Sequence, residues 1–307
     1  MEITKEILSN PHYPVNSLME ELLNTFTKLS HKYDLESSIN NGLNKAIVMH
    51  LTDNPIHAVA ELNSNNQIIL YDNFCQFFWC LCYTSLTMYD KGIIKELIEG
   101  KFNGKIDISN DDLKIAYQVF QAGVGLLISK NSTEITNRYV FFELPNPFNC
   151  SNEYVEKANG IYCYGMSFIL YHEFSHFSLD HSLYGAKEDE EEADENAFWS
   201  ILMGAPKEEE ITSIIGIITA LCALIFLDDT LKGDEVHPDG DTRIKSIFEK
   251  IDSQYDHYFG IAVVCLKMWA FHYGFEKDFP QSDTCKNWKK YFELILKYLD
   301  LKKTDST

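Results

Sequence analysis

Positive charge is scarce in this sequence. Its 26 Lys and Arg residues are outnumbered by 46 Asp and Glu residues, and the formal net charge is −20. Nucleic acids and anionic membrane surfaces carry charge of the same sign, so the field of such a protein repels both of them. We therefore expect no nucleic-acid partner, and a membrane surface is also disfavoured as a partner.

Paired cysteines are lacking as well. The eight cysteines are scattered, and no two of them have the two-residue gap of a zinc knuckle or a redox motif. Most lie in apolar runs, which is typical of buried free thiols in a reducing compartment. Residues 1–10 have no apolar core after their charges, so the sequence predicts no secretion signal. These features together predict a cytoplasmic protein.

Long apolar runs are rare, and residues 211–227 are the membrane candidate. As a helix this segment reaches about 25 Å, slightly less than the ~30 Å of a hydrocarbon core. Acidic residues flank both ends, and no basic cluster sets an orientation. A buried core helix is the interpretation that we favour, and a membrane span or hairpin is the alternative.

The composition that is present, 45% apolar and 13% aromatic residues, is that of a globular protein with ample core. Short β-like runs predict strands over 46–51, 57–62, 67–71 and 138–143, and a turn at 63–66 predicts a hairpin. Apolar periodicity predicts helices over 14–38, 74–100, 153–183, 188–203, 209–230, 241–251, 254–273 and 286–301. Asp111 and Asp112 precede a further helical stretch that reaches about residue 128.

The stretch 171–176 (YHEFSH) carries the chemistry. Residues four apart on a helix share one face, so His172 and His176 can reach one ion. Zinc accepts imidazole nitrogens and keeps one position open for water in catalytic sites. Glu173 can take the proton of that water, which makes it the predicted general base. The alternative is a pair of core histidines beside a solvated glutamate.

A third zinc ligand is required, and its spacing separates the zinc enzyme families. In a metzincin, positions 179 and 182 would hold Gly and His, but they hold Leu179 and Ser182, which excludes that class. We interpret His181 as a helix-end residue or a hydrogen-bond partner of a ligand rather than as a ligand.

The acidic run 188–195 predicts a helix that returns antiparallel to the first and brings a carboxylate to the histidines. Two alanines one turn apart allow the helices to approach closely. Position along the chain leaves Glu190, Glu191 and Asp194 open as the third ligand. Asp194, one turn after Glu190, is also placed to accept the outer N–H of a ligand histidine and so fix its tautomer.

These motifs resemble those of gluzincin metallopeptidases. The HtpX and CaaX-prenyl endopeptidases share the Glu-x-x-Ala-Asp pattern and a later His-Pro followed by Arg-Ile, which here is His237-Pro238 and Arg243-Ile244. The resemblance implies Glu190 as the third zinc ligand. It also implies that His237 and Arg243 lie at the cleft and steady the active site or the oxyanion. The alternative is a helix-start turn with a surface histidine and an arginine salt bridge.

The layout of the chain is similar to that of the Lit-type phage-exclusion peptidases, bacterial cytosolic enzymes whose type substrate is a translation elongation factor. The similarity covers roughly residues 130–250. Together with the gluzincin motifs, it implies a zinc-dependent endopeptidase with a protein or peptide substrate. Because the sequence shows no propeptide, we expect a regulatory partner or a narrow cleft to restrain the enzyme. The alternatives are a non-catalytic zinc-binding regulator of the immunity or antitoxin kind, a membrane-embedded peptidase and a purely structural helical protein.

The predicted fold is α+β and mostly helical, with a small antiparallel sheet, a zincin-like active-site helix and a helical C-terminal half. The simplest division is a mixed α/β part over residues 1–130 and a helical peptidase part over residues 131–307. A single fused domain is the alternative.

Overall fold

The computed structural model describes residues 13–30, 48–50, 59–62, 67–100, 106, 108–128, 143–181, 186–227, 232–251, 256–275, 279–280 and 287–305. The predicted turn at 63–66 and all but the last residue of the predicted strand 138–143 lie outside these residues.

The sheet contains three short strands, β1 (Val48–His50), β2 (Ala60–Leu62) and β3 (Ile68–Tyr71), in the order β1-β3-β2. β2 pairs antiparallel with β3, which confirms the predicted hairpin. β1 pairs parallel with β3, so the expectation of an antiparallel sheet is correct for the hairpin and wrong for β1. The chain between β1 and β3 is long enough for the crossover that a parallel pair requires, and β2 lies within it.

The predicted helices are confirmed within the described residues, with small shifts at their ends. They are α1 (Met19–Ser30), α2 (Asp72–Tyr89), α3 (Asp111–Ile128), α4 (Glu153–Ser178), α5 (Lys187–Gly204), α6 (Glu210–Leu224), α7 (Gly240–Lys250), α8 (Asp256–His272) and α9 (Trp288–Asp305). A 3-10 turn, Pro14–Leu18, precedes α1. A π-helical turn, Asp90–Ile94, extends α2.

Helix α4 lies at the centre of the molecule. It packs against α1, α2, α5 and α6 and touches strands β2 and β3. Its sequence is apolar around most of its circumference, as expected for a helix that is enclosed by others.

The division into two parts at residue 130 stays a prediction. Six of the seven cysteines in the described part of the chain are buried, and all seven are free thiols.

Helix α6 belongs to the segment that the sequence marked as a membrane candidate. Among the described residues, Lys207–Leu227 is the stretch that is long and apolar enough to cross a bilayer, and most of it is buried inside the protein. It packs against α4 and α8. An apolar helix that is enclosed by other helices needs no bilayer to explain its composition, which favours the core-helix interpretation.

Two glycines allow α4 and α6 to cross closely. A Cβ atom on Gly216 would lie 2.8 Å from the carbonyl oxygen of Ile161 and 2.9 Å from the backbone nitrogen of Gly165. Backbone atoms cannot move aside as a flexible side chain can. The closeness of this crossing therefore depends on the absence of side chains at Gly165 and Gly216.

We expect Gly216→Ala to lower the free energy of unfolding by about 1–3 kcal/mol, because an extra methyl group overpacks the crossing. Gly125→Ala on α3 is the matched control, since a Cβ there meets nothing within 4 Å. It should raise stability by about 0.5–1 kcal/mol through the lower entropy of the unfolded chain. Urea unfolding of both variants measures the difference, and equal stability of Gly216→Ala and the parent would contradict the close crossing.

Candidate active site

The C-terminal part of α4 carries the two histidines and Glu173. The helix starts at the N-cap Asn152, whose side chain accepts a hydrogen bond from the backbone N–H of Tyr154. It ends in a Schellman-type turn, in which Asp180 is left-handed (φ 57°). The backbone N–H of His181 donates to the carbonyl oxygen of His176 across this turn at 3.0 Å.

Helix α5 brings the acids to α4. Its first turn contains Glu188, Asp189 and Glu190, where negative charge is favoured by the helix dipole. Glu190 and Asp194, one turn apart, are buried, whereas Glu191 is exposed. Helices α4 and α5 run antiparallel, as the sequence predicts. Glu190 contacts His176, whereas Asp194, one turn later on α5, contacts His172, one turn earlier on α4.

Three side chains converge into a group that can hold a metal ion: His172, His176 and Glu190. The Nε2 atoms of the two histidines are 3.0 Å apart. The Glu190 carboxylate oxygens lie 3.4 Å from Nε2 of His172 and 3.2 Å from Nε2 of His176. Ligands at 2.0–2.1 Å in a tetrahedron lie about 3.3 Å from one another, so these spacings fit a zinc-sized ion.

Asp194 and Arg243 orient the first histidine. Nδ1 of His172 lies 3.0 Å from Oδ1 of Asp194. Arg243 donates to both oxygens of Asp194, from Nε and from Nη2, each at 2.7 Å. This fork leaves Asp194 ionised, because the hydrogen bonds and charge of Arg243 and His172 outweigh burial and lower its pKa to about 2. The carboxylate then fixes the Nδ1–H tautomer of His172 and leaves Nε2 to face the group.

The electrostatics of the group favour a positive charge among the three side chains. Burial opposes the charged form of His172, yet its hydrogen bonds with Asp194 and Glu190 raise its pKa to about 9. Burial also opposes ionisation of Glu190, but the hydrogen bonds with His172 and His176 hold its pKa well below the usual value.

Glu173 lies beside this group, and the residue as a whole is half-buried. Burial raises its pKa, while the nearby His172 and His176 act in the opposite direction. Within the described residues, no hydrogen bond or ion pair engages the Glu173 carboxylate. It is therefore available to accept a proton.

The structure brings together six of the seven predicted site residues: His172, Glu173, His176, Glu190, Asp194 and Arg243. It does not bring His237 to them. The His237 side chain is 55% exposed, and its Nδ1 lies 3.0 Å from Asp234. Asp234 also accepts the backbone N–H groups of Val236 and His237 and so closes the turn. A role of His237 at the cleft stays a prediction. Arg243 reaches the group through Asp194, and its Nη1 lies 3.9 Å from Glu190.

The sequence identifies three residues in or next to the site only in part. It does not distinguish Asp180, although Asp after a helix end is one of the few residue types that tolerate a left-handed backbone. It predicts His181 at the helix end or beside a ligand, and the structure puts the His181 ring against His176. Glu192, which contacts His181, has no signal within the acidic run that distinguishes it from its neighbours.

Comparison with protein families places this chain in a known family. The family model for peptidase U49 matches residues 68–265, the span from β3 to α8 that includes the whole His-His-Glu group. Neither the curated proteins nor the solved structures gave a match. The matched span is well over half of the 307 residues, and the chain therefore belongs to the peptidase U49 family.

Proposed function

We propose that this peptidase is a zinc-dependent metalloendopeptidase that cleaves a protein substrate. The observation that carries the proposal is the convergence of two imidazole nitrogens and one buried carboxylate, whose ligand atoms all lie within 4.8 Å of one another. When both histidines are neutral with Nδ1–H directed outward, Nε2 of His172, Nε2 of His176 and the Glu190 carboxylate can all direct lone pairs at one cation. In the absence of a metal ion the raised pKa of His172 allows a proton to supply that positive charge, and a metal ion would displace this proton on binding.

The chemistry of the donors supports zinc as that cation. Two imidazole nitrogens and one carboxylate oxygen form the ligand set of many catalytic zinc sites, in which a fourth position stays open. Zinc in such a site supplies a positive charge that acidifies water and polarises a carbonyl group. The assignment of Glu190 over Glu191 is supported by burial, since Glu191 is exposed.

The residues of the chain supply the remaining steps. Glu173 accepts a proton from the attacking water while the water oxygen bonds to the carbonyl carbon of the substrate. Glu173 then passes that proton to the leaving amine when the C–N bond breaks. Asp194, held by Arg243, keeps His172 in place throughout. The family resemblance makes His237 the proposed donor to the oxyanion; its Nδ1 is engaged by Asp234, which leaves Nε2 as the nitrogen that would donate.

The resemblance to Lit-type enzymes suggests the biological role. We propose intracellular cleavage of a host protein during phage exclusion, under the control of a regulatory partner. The competing candidate is a zinc-binding regulator without activity. A screen for new N-termini in a bacterial lysate separates them, since the regulator would produce none.

The metal is tested directly by elemental analysis. We expect one zinc per chain, complete loss of hydrolysis after treatment with a chelator, and recovery on adding zinc. The double variant His172→Ala/His176→Ala should contain no zinc. A purified chain without stoichiometric divalent metal, or one that still cleaves its substrate after chelation, would refute the proposal.

A further inference from the structure

The second ligand histidine also has a hydrogen-bond partner on its outer nitrogen. Nδ1 of His176 lies 2.9 Å from Nδ1 of His181. Nε2 of His181 lies 3.2 Å from Oε2 of Glu192, and the His181 side chain is only 5% exposed. We propose that His181 is a positioning residue that holds His176 in the tautomer and orientation that bind the metal. This inference rests on the proposed metal site.

The positions of the protons support one arrangement. A single proton lies between the two Nδ1 atoms. If His176 carries it, His181 accepts at Nδ1 and donates from Nε2 to Glu192, so both contacts are favourable. If His181 carries it, its bare Nε2 faces the Glu192 carboxylate and Nε2–H of His176 occupies the metal position. The first arrangement leaves the lone pair of His176 Nε2 directed at Glu190 and His172.

The backbone places His181 for this contact. The left-handed Asp180 reverses the chain after α4, and the N–H of His181 donates to the carbonyl oxygen of His176 at 3.0 Å. The backbone and the side chain of His181 therefore both contact His176. A neutral imidazole also has an advantage over a carboxylate here, because Glu173, Glu190 and Asp194 already supply negative charge at this end of α4.

The test measures affinity for zinc and cobalt by competition with a chelator, using the full-length chain. We expect His181→Ala and His181→Phe to weaken binding about ten- to a hundredfold, as for other outer partners of metal ligands. His181→Asn, whose side-chain oxygen can accept the His176 proton, should restore affinity to within about threefold of the parent. Glu192→Gln should have a small effect, since Glu192 is 59% exposed.

The outcomes separate this inference from the proposed function. A parent chain that binds no metal refutes the metal site itself. Parent-like affinity of His181→Ala, or an Asn variant as weak as the Ala variant, overturns the positioning role and leaves the metal site intact. Two backbone variants provide a second test, which does not alter the ring. Asp180→Gly should keep the affinity, whereas Asp180→Val, which disfavours the left-handed turn, should lower it as His181→Ala does.

Discussion

Glu173→Gln is expected to lower the rate of hydrolysis by a factor of about 10² to 10⁴, the range that a general base contributes. The amide has nearly the same shape as the carboxylate but cannot accept the proton of water. The Glu173 carboxylate makes no hydrogen bond to the described residues, so its loss should leave the fold unchanged. Zinc content should also stay at the parent level, because Glu173 is not among the three converging ligands.

Glu191→Gln is the matched control for this experiment. It makes the same chemical change next to Glu190, at a side chain that is exposed. Zinc content and activity should both stay at parent levels. Full activity of Glu173→Gln would show that another group takes the proton, and loss of zinc in Glu191→Gln would show that the third ligand has been misassigned.

Arg243→Met is expected to lower the free energy of unfolding by about 3–5 kcal/mol, the cost of leaving a buried charge without its partner. Asp194 is buried, and in this variant it would keep its contact with His172 but lose both hydrogen bonds from the guanidinium group. Arg243→Lys should recover only part of the stability, since an ammonium group cannot form the fork. Urea unfolding of the metal-free protein gives these values.

A second pair between the same two helices is the control. Lys250 of α7 donates to Glu195 of α5 at 3.1 Å, but these side chains are 25% and 52% exposed. Lys250→Met should therefore cost less than about 1 kcal/mol. Similar losses for Arg243→Met and Lys250→Met would mean that burial adds nothing to the Arg243–Asp194 pair.

Local spacing accounts for most of what the sequence predicts correctly. Residues 172 and 176 lie on the same face of any helix that contains both, independently of tertiary structure. The helix formed by the acidic run has a buried side that includes Glu190 and Asp194. The choice of Glu190 over Glu191 came from the family pattern, and its physical basis is this helical periodicity. The same periodicity predicts helix α7 to within a residue or two.

Contacts between distant segments could not be predicted in the same way. Arg243 and Asp194 are 49 residues apart, and the sequence contains no measure of the packing of α5 on α7 that joins them. The parallel pairing of β1 with β3 is also set by tertiary structure, because a three-residue strand has too few side chains to specify its partner. His181 could be placed near the site but not oriented, since its position depends on the backbone of Asp180.

The sequence separation of the site residues has a mechanical consequence. The three side chains that can hold a metal ion, together with Glu173 and Asp194, come from residues 172–194, so bringing them together costs little chain entropy. Arg243 does not belong to this local segment, because it lies on α7, which follows helix α6 in the chain. Any partner or substitution that tilts α7 thus pulls on Asp194 and, through it, on His172. Helices α4 and α5 therefore supply the proposed ligands and base, and Arg243 couples the position of α7 to them through Asp194.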